Sequence, residues 1–415
     1  MATTYVYRTN AAVATLGTKA TYSLWLKRGG VQGHNASGGI AGGWSNGSGT
    51  GTDNFQIAFN DVDRINVYSN GAAAIDVTGS AQYRDCGAWY HIVVALDTTQ
   101  ATDSDRVKIY VNGILITAFA STSYPTQDTV LSCNKNGQTQ YVGRFKNTAG
   151  TDFQFEGVMS HFHFIDGLAY AASDFGSFDT TSGIWKIKTG PSVTYGDNGY
   201  FLKFEDSSNM DLDSGTNTLT FTTAGTLTAT KDNPSNNFCI QNIWVQPLSN
   251  KWTFTNGATK QDQTAGDWTS AYGTLGVTKG KWYYEAICGG TANLRYGWSS
   301  VENLAQAGAS YGPNENPFNN PALPAYGLAQ NGSIYYSSTA AANQSSSYGT
   351  DFDSSALTTY LGVYLDLDNG KLYYAYDGTI QASGVGHTLI EYLGYTFIPL
   401  LANYNADTSL NYGNG

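Results

Sequence analysis

The sequence predicts an all-β protein made of two tandem antiparallel β-sandwiches. Its 415 residues include 48 Gly and 30 Tyr, and only 13% are charged, a composition typical of short strands and tight turns. Apolar residues alternate with period two along many short segments, which is the pattern of half-buried strands. Asn-Gly and Asp-Gly pairs follow several of these segments and predict tight hairpins. The chain is too long for one sandwich and long enough for two with separate cores.

The charge balance excludes several classes of partner. A net charge of −11 argues against a nucleic-acid surface, because such surfaces depend on clustered Lys and Arg. Anionic membranes are disfavoured for the same reason, and no apolar run of about 18 residues predicts membrane insertion. The first residues lack the charged and apolar regions of a secretory signal, so no signal peptide is expected.

The first half of the chain begins with a clear amphipathic strand. Residues 22–27 place Tyr22, Leu24 and Leu26 on one face and Trp25 on the other. A Gly- and Ser-rich span at 29–52 follows, which we interpret as a long loop at one rim of the sandwich.

The block at 87–116 is the most informative part of this half. An apolar strand ends in Asp97, an acidic loop follows, and Asn112-Gly113 closes a hairpin. This block resembles the laminin-G-like, concanavalin A-like superfamily. The resemblance rests on Trp89, His91, Asp97, Tyr110 to Gly113, Gly143-Arg144 and Gly157 to Ala169. It implies a jelly roll of two curved antiparallel sheets.

The second half resembles a SPRY domain. The segments that match the family pattern, in order, are Gly280 to Glu285, Gly297 to Ser299, Gly362 to Tyr373 and Phe397 to Leu400. The resemblance implies two packed sheets with a binding surface formed by loops at one end. That rim would hold Tyr311, Phe318, Tyr335 and Tyr336.

Between the two halves, a strand near Tyr200 gives way to Ser, Asn, Asp, Gly and Pro, which favour turns. We therefore assign 1–206 to a laminin-G-like jelly roll, 207–249 to a connector and 250–415 to a SPRY-like sandwich. The domain order resembles virion proteins of tailed phages, and the segments Tyr200 to Ser208 and Asp232 to Phe238 carry this part of the resemblance.

The resemblance implies a non-enzymatic tail fibre, appendage or surface protein, made in the host cytoplasm and located in the virion. Its partners would be other virion proteins, copies of itself and a glycan or protein of the host surface. One alternative is a purely structural scaffold or adaptor whose sandwich surfaces are assembly interfaces. A weaker alternative is a polysaccharide depolymerase.

Aromatic side chains in loops are the best candidates for ligand contact, because exposed rings stack on sugars and anchor protein interfaces. The predicted ligand-binding residues are Trp44, Tyr124, Tyr311, Phe318, Tyr335 and Tyr336. Tryptophans inside alternating strands are predicted to lie in the cores instead; these are Trp25, Trp89, Trp282 and Trp298.

Two sets of residues are candidate metal ligands. Asp97, Asp103 and Asp105 form an oxygen-rich loop of the kind that holds calcium, although a solvated turn is favoured. His161 and His163 are two residues apart on a strand, so their side chains point the same way and can share a metal. The favoured interpretation places Phe162 and Phe164 inward and both histidines outward. No cofactor other than this calcium is expected.

No catalytic residue is predicted. Retaining glycoside hydrolysis needs two carboxylates about 5 Å apart, and Glu156, Glu205 and Glu285 each lack an acidic neighbour two residues on. The cysteines have no metal-binding spacing. A disulfide between Cys86 and Cys133 is one alternative, and separate thiols are the favoured one.

Overall fold

The fold is described from a computed structural model. It covers residues 4–30, 39–45, 54–146, 152–245, 252–263, 268–289, 294–305, 318, 323–338, 344–351, 359–404 and 407–414. The chain forms two compact units, Met1–Asn237 and Phe238–Gly415. Each unit is an antiparallel β-sandwich, which confirms the predicted fold class.

The first unit contains a short α-helix, α1 (Ala172–Phe175), and a series of mostly short strands. The strands are β1 (Tyr5–Thr9), β2 (Lys19–Arg28), β3 (Gly39–Ser45), β4 (Asn54–Phe59), β5 (Arg64–Ser69), β6 (Ile75–Gln82), β7 (Trp89–Asp97), β8 (Val107–Val111), β9 (Ile114–Leu115), β10 (Phe119–Ser123), β11 (Gln138–Val142), β12 (Arg144–Lys146), β13 (Asp152–Gln154), β14 (Gly157–Asp166), β15 (Gly176–Phe178), β16 (Trp185–Ile187), β17 (Tyr200–Leu202) and β18 (Thr222–Ala224).

Two sheets make the sandwich of the first unit. One has the strand order β10-β6-β5-β4-β3-β11-β1-β18, and the other has the order β17-β14-β2-β7-β8-β9. The alternation of β2 is confirmed, since Tyr22, Leu24 and Leu26 all enter the core between the sheets. There they meet apolar residues from the facing sheet, such as Phe55 and Ile57 on β4.

The second of these sheets is covered on both faces, so β7 is buried along its whole length. Its outer face carries Val93, Ile165 and Phe201, which pack under residues of the segment 167–199 such as Phe175 and Tyr195. As predicted, Trp25 lies on the face of β2 that points away from Leu24. The segment 167–199 forms a second layer over this face, and Trp25 is buried there with its ring stacked on that of His91.

His161 and His163 point away from the main core, as predicted, but they are buried rather than exposed. Phe162 and Phe164 enter the main core, while His161 and His163 lie on the opposite face and are buried. His163 stacks on Phe201 at a centroid distance of 3.9 Å. The covering segment 167–199 has little apolar periodicity, and for that reason the sequence did not reveal it.

The segment interpreted as a connector, 207–249, is divided between the two units. Its first part adds β18 to β1 and packs on the first unit. The Asp213 carboxylate, which is buried, accepts hydrogen bonds from the backbone N–H groups of Phe201, Gly215 and Leu219. These contacts place the boundary after Asn237 rather than at 206.

A buried ion pair holds the end of this segment. Lys27 Nζ lies 2.8 Å from Asp232 Oδ2, and each side chain is only 1% exposed. Trp89 Nε1 donates to the other Asp232 oxygen at 2.8 Å, and Lys27 also donates to Asn237. The turn at 232–237 is therefore part of the first unit.

The second unit also contains a short α-helix, α2 (Glu302–Ala305). Its strands are β19 (Trp252–Thr255), β20 (Lys260–Gln263), β21 (Trp268–Tyr272), β22 (Lys281–Gly289), β23 (Leu294–Ser300), β24 (Ala325–Ala329), β25 (Ser333–Ser337), β26 (Gln344–Ser347), β27 (Tyr360–Asp366), β28 (Lys371–Tyr376), β29 (Thr379–Ile380), β30 (His387–Thr388), β31 (Phe397–Tyr404) and β32 (Asp407–Asn411).

Two sheets again face each other. One has the order β19-β20-β32-β22-β27-β28-β29, with β30 also paired to β28, and the other has the order β21-β31-β23-β24-β25-β26. The core between them includes Tyr284, Trp298, Val363 and Leu401. Trp25, Trp89 and Trp298 are buried as predicted, but Trp282 is 46% exposed because it lies at the start of β22, beyond the core.

Cys86 and Cys133 are buried as separate thiols rather than joined in a disulfide. Burial raises the pKa of Cys133 to about 12, so this thiol stays protonated. Among the described residues, no helix is both long and apolar enough to cross a membrane.

Candidate ligand-binding site

The predicted aromatic residues of the first unit do not form a site together. The backbone of Trp44 lies in β3, opposite Asn54 and Thr139, and its side chain is outside the described part of the structure. Tyr124 is partly buried against the main core, where burial and the nearby charge of Asp103 raise its pKa.

In the second unit, the structure separates the predicted residues. Tyr335 and Tyr336 are neighbours on β25 and so point to opposite faces. Tyr336 packs against the core between the sheets, whereas Tyr335 lies on the outer face of its sheet. Tyr311 is outside the described residues. Phe318, which was predicted to lie on the rim, is fully buried and packs in one cluster with Tyr335 and Trp268.

Tyr335 belongs to an aromatic cluster that surrounds the side chain of Arg295. The Arg295 Cζ atom lies 3.8 Å from the ring centroid of Tyr335, 4.6 Å from that of Trp268 and 5.3 Å from that of Phe318. Such contacts between a guanidinium and aromatic rings are favourable and fix the orientation of the planar group. We call these four residues the Arg295 cluster.

The local sequence explains how the cluster forms. Arg295 lies between Leu294 and Tyr296, which both enter the core, so its side chain points to the outer face of the sheet. Its neighbours across the sheet are Ala329 and Ala402, whose small side chains leave the guanidinium room to lie along the surface. The absence of a side chain at Gly327 leaves room for the Phe318 ring, since a Cβ atom there would lie 2.5 Å from that ring.

The guanidinium carries a charge that the described protein residues do not neutralise. Burial lowers the pKa of Arg295 to about 10, which leaves the group positively charged at neutral pH. Its Nη1 atom is buried without a hydrogen-bond partner, and no described carboxylate lies within ion-pair distance. A buried donor of this kind costs about 1–3 kcal/mol when it stays unpaired.

A cavity of about 230 Å³ opens beside the cluster. The polar side chains at its wall are Arg295, Gln330, Asn331, Tyr335 and Asp351. It lies on the same outer face as Tyr335, and it combines one cation, one anion, two amides and an aromatic ring.

A tight turn between β24 and β25 positions two of these side chains. Gly332 has a φ of +74°, and its carbonyl accepts hydrogen bonds from Tyr348 and Gly349. These bonds hold the segment before Asp351 against the turn. The Asn331 Oδ1 atom accepts from the Ser333 N–H at 3.1 Å, which directs the Asn331 amide.

A second surface was also missed by the sequence analysis. Tyr283, Tyr364 and Tyr373 lie opposite one another on β22, β27 and β28, on the outer face of the other sheet. We call them the tyrosine row. Tyr283 is 45% exposed, and its ring centroid lies 4.5 Å from that of Tyr364.

The acidic loop of the first unit is held by its own neighbours. Asp97 accepts hydrogen bonds from Thr99 and Gln100 and lies 3.0 Å from Lys19 Nζ. Asp103 accepts from the Ser104 N–H, and Asp105 pairs with Lys108 at 3.2 Å. Within the described ranges, no group of three or more His, Cys, Asp or Glu side chains is arranged to hold a metal ion.

The glutamates lie in different surroundings. Glu205 Oε1 is 3.6 Å from His161 Nε2, and Glu285 accepts hydrogen bonds from Tyr283 and Asn411. Burial raises the pKa of Glu156 to about 7.

One signal in the sequence could have revealed the Arg295 cluster. Arg295 is the single arginine in residues 238–415, and it interrupts an apolar strand. A charged residue in such a position needs either a partner or a function. Nothing in the sequence marks the other residues near Arg295, because they approach it only after folding; these are Trp268, Gln330, Asn331 and Asp351.

The chain has similarities to known proteins. Two solved structures are similar to this chain: the SPRY domain of human HERC1 and the PSpry domain of TRIM65. The first is 10% identical, covers 39% of this chain and 92% of its own, and has a TM-score of 0.29. The second is 13% identical, covers 41% and 89%, and has a TM-score of 0.30. Residues 1–168 match the family model of the concanavalin A-like lectin/glucanases superfamily, and this match ends just after β14.

Proposed function

We propose that this protein is a non-enzymatic component of a phage virion that recognises a glycan of the host surface through the cavity beside Arg295. The observation that carries the proposal is a polar cavity in which a charged guanidinium and the Tyr335 ring are held in fixed positions. Aromatic faces and planar polar side chains are the groups that bind sugars, because they match the apolar faces and hydroxyls of a pyranose.

Two further observations support parts of the proposal. The superfamily matched by residues 1–168 is named for lectins and glucanases, which act on glycans. The virion assignment is supported by the resemblance of the segments Tyr200 to Ser208 and Asp232 to Phe238 to those of phage virion proteins.

The experiment is binding of the full chain to an array of bacterial surface glycans. The test variant is Tyr335→Ala, and the matched control is Tyr283→Ala, which removes an exposed tyrosine from the other sheet. We expect the wild-type chain to bind a subset of glycans, Tyr335→Ala to lose at least about tenfold in affinity, and Tyr283→Ala to bind normally. Thermal unfolding of each variant checks that the fold is retained.

Two results would contradict the proposal. Absence of binding to every bacterial glycan would exclude the recognition role. Binding that Tyr283→Ala abolishes and Tyr335→Ala leaves intact would place the contact on the tyrosine row instead of the cavity.

The tyrosine row favours a second candidate function, that of an assembly subunit. A row of tyrosines on an outer sheet face is a surface typical of protein interfaces. Light scattering of the purified chain tests this candidate: an oligomer that Tyr283→Ala dissociates would support it. A monomer at micromolar concentration, or an oligomer that Tyr283→Ala leaves intact, would count against it.

A further inference from the structure

We infer that the sugar bound beside Arg295 carries a carboxylate, as a uronic or sialic acid does. This inference rests on the proposed function, and it specifies the chemical class of the ligand. It follows from the charge of the site, from the geometry of the guanidinium and from the other polar groups at the cavity wall.

The charge of the site is the first observation. The whole chain has a net charge of −11, and Arg295 is the single arginine of its unit. Among the described residues no carboxylate forms an ion pair with its guanidinium, and its Nη1 atom has no hydrogen-bond partner. An anionic ligand would complete this arrangement, since a charge-assisted hydrogen bond is roughly twice as strong as a neutral one.

The geometry of the guanidinium is the second observation. Its Cζ atom lies within 5.3 Å of the ring centroids of Tyr335, Trp268 and Phe318, so three aromatic side chains restrict the movement of the group. A guanidinium fixed in this way can donate two parallel N–H bonds to one carboxylate, and little side-chain entropy remains to be lost on binding. A neutral hydroxyl would use only one of these donors.

The remaining polar groups favour a sugar over an acidic peptide. Asp351 at the cavity wall can accept hydrogen bonds from sugar hydroxyls, which an acidic peptide side chain does not offer. Gln330 and Asn331 can donate to and accept from the same hydroxyls. At about 230 Å³, the cavity is smaller than the about 300–1,000 Å³ of sites for drug-sized ligands, which suits one sugar residue of a longer chain.

The test compares acidic sugars with their neutral esters on the full-length protein. The probes are trigalacturonate, a hyaluronan tetrasaccharide and sialyllactose, each beside its carboxyl methyl ester, measured by isothermal titration calorimetry at low salt. We expect at least one acid to bind about tenfold or more tightly than its ester. Hexaglutamate serves as the acidic peptide probe and is expected to bind weakly or not at all.

Three variants locate the effect. Arg295→Gln should remove the preference for the acid over the ester. Arg295→Lys should keep only part of it, because an ammonium has the charge without the planar fork. The control is Lys281→Gln, which removes an exposed cation of the other sheet and should leave the preference unchanged. Thermal unfolding confirms that each variant is folded.

The outcomes separate this inference from the proposed function. Equal binding of acid and ester, or a preference that survives Arg295→Gln, overturns the inference and leaves glycan recognition in place. Tight binding of hexaglutamate also overturns it, because the site would then recognise acidic peptides. Binding of no sugar in either form overturns the inference together with the proposed cavity function.

Discussion

Individual polar side chains attach distant segments of this protein to its cores. Lys27 and Asp232 are 205 residues apart in sequence, yet they form an ion pair whose side chains are almost entirely buried. Removal of one partner from such a pair leaves an uncompensated charge in the interior, which is far more costly than loss of a surface pair.

The Lys27→Met variant measures this cost. It should lower the free energy of unfolding of the first unit by about 3–5 kcal/mol, because Asp232 would remain buried without its cation. The matched control is Lys19→Met, which breaks a partly exposed pair with Asp97 and should cost less than about 1 kcal/mol. Urea denaturation measures both, and equal losses would contradict a structural role for the buried pair.

His91 links the second layer of the first unit to the sheet beneath it. The Trp185 indole N–H donates to His91 Nδ1 at 3.0 Å, so Nδ1 is an acceptor and the proton lies on Nε2, 2.9 Å from Ser23 Oγ. Burial lowers the pKa of His91 to about 3. The hydrogen bond from Trp185 therefore requires the neutral ring, because a protonated Nδ1 cannot accept.

This environment predicts a pH dependence. An unfolded histidine takes up a proton below about pH 6.5, whereas the folded His91 does so only near pH 3, so acid favours the unfolded state between these values. His91→Asn should be less stable than the wild type at pH 7.5. The difference should shrink by about 2–3 kcal/mol at pH 4.5, because the variant lacks this titration. A difference that stays constant between the two pH values, by urea denaturation, would contradict the assignment.

At the scale of elements, the turn between β24 and β25 decides where the cavity side chains lie. Gly332 adopts a left-handed conformation there, and a Cβ atom would lie 2.4 Å from the Gly349 carbonyl oxygen. A side chain at this position would push apart the turn and the segment that leads to Asp351. The cavity geometry therefore depends on a glycine that makes no ligand contact itself.

Comparison of Gly332→Ala with Gly378→Ala separates two costs of a side chain at a glycine: the steric contact made by its Cβ atom and the strain of a positive φ. Gly378 also has a positive φ, +80°, but its Cβ would meet no atom within 4 Å. Gly378→Ala should cost about 1 kcal/mol in unfolding free energy and leave glycan binding intact. Gly332→Ala should cost more and weaken binding as well. Equal costs in chemical denaturation, with unchanged binding, would show that the turn does not position the site.

The elements that could be predicted from the sequence are those with local periodicity. Tyr22, Leu24 and Leu26 alternate, so both the strand and its buried face were evident. The segment 167–199 that covers His91 and His163 could not be predicted, because the aromatic residues with which it packs are scattered along the sequence. The Arg295 cluster joins residues far apart in the chain, and only the isolated charge of Arg295 in an apolar strand hinted at it.

At the scale of the whole molecule, the boundary between the units follows from side-chain anchors rather than from composition. Residues 207–237 are rich in turn-forming residues, yet β18, Asp213 and Asp232 attach them to the first sandwich. A change in composition marks where regular strands end. It does not show whether the following segment is free or docked.

Two fragments test this boundary. The fragment 1–237 should fold and unfold cooperatively, because it keeps the partners of Lys27 and Trp89. The fragment 1–206 lacks Asp213 and Asp232 and should be several kcal/mol less stable or fail to fold. Urea denaturation of both fragments decides the point, and equal stability would mean that 207–237 is a dispensable linker.

The most direct test of the binding site is the side-chain NMR signal of Arg295 in the intact chain. Its Nε–Hε resonance can be assigned by its absence from the spectrum of Arg295→Lys. On titration with a glycan that the protein binds, we expect this resonance to shift with the same dissociation constant as calorimetry reports. Binding of the glycan without any change at Arg295 would contradict the assignment of the cavity as the recognition site.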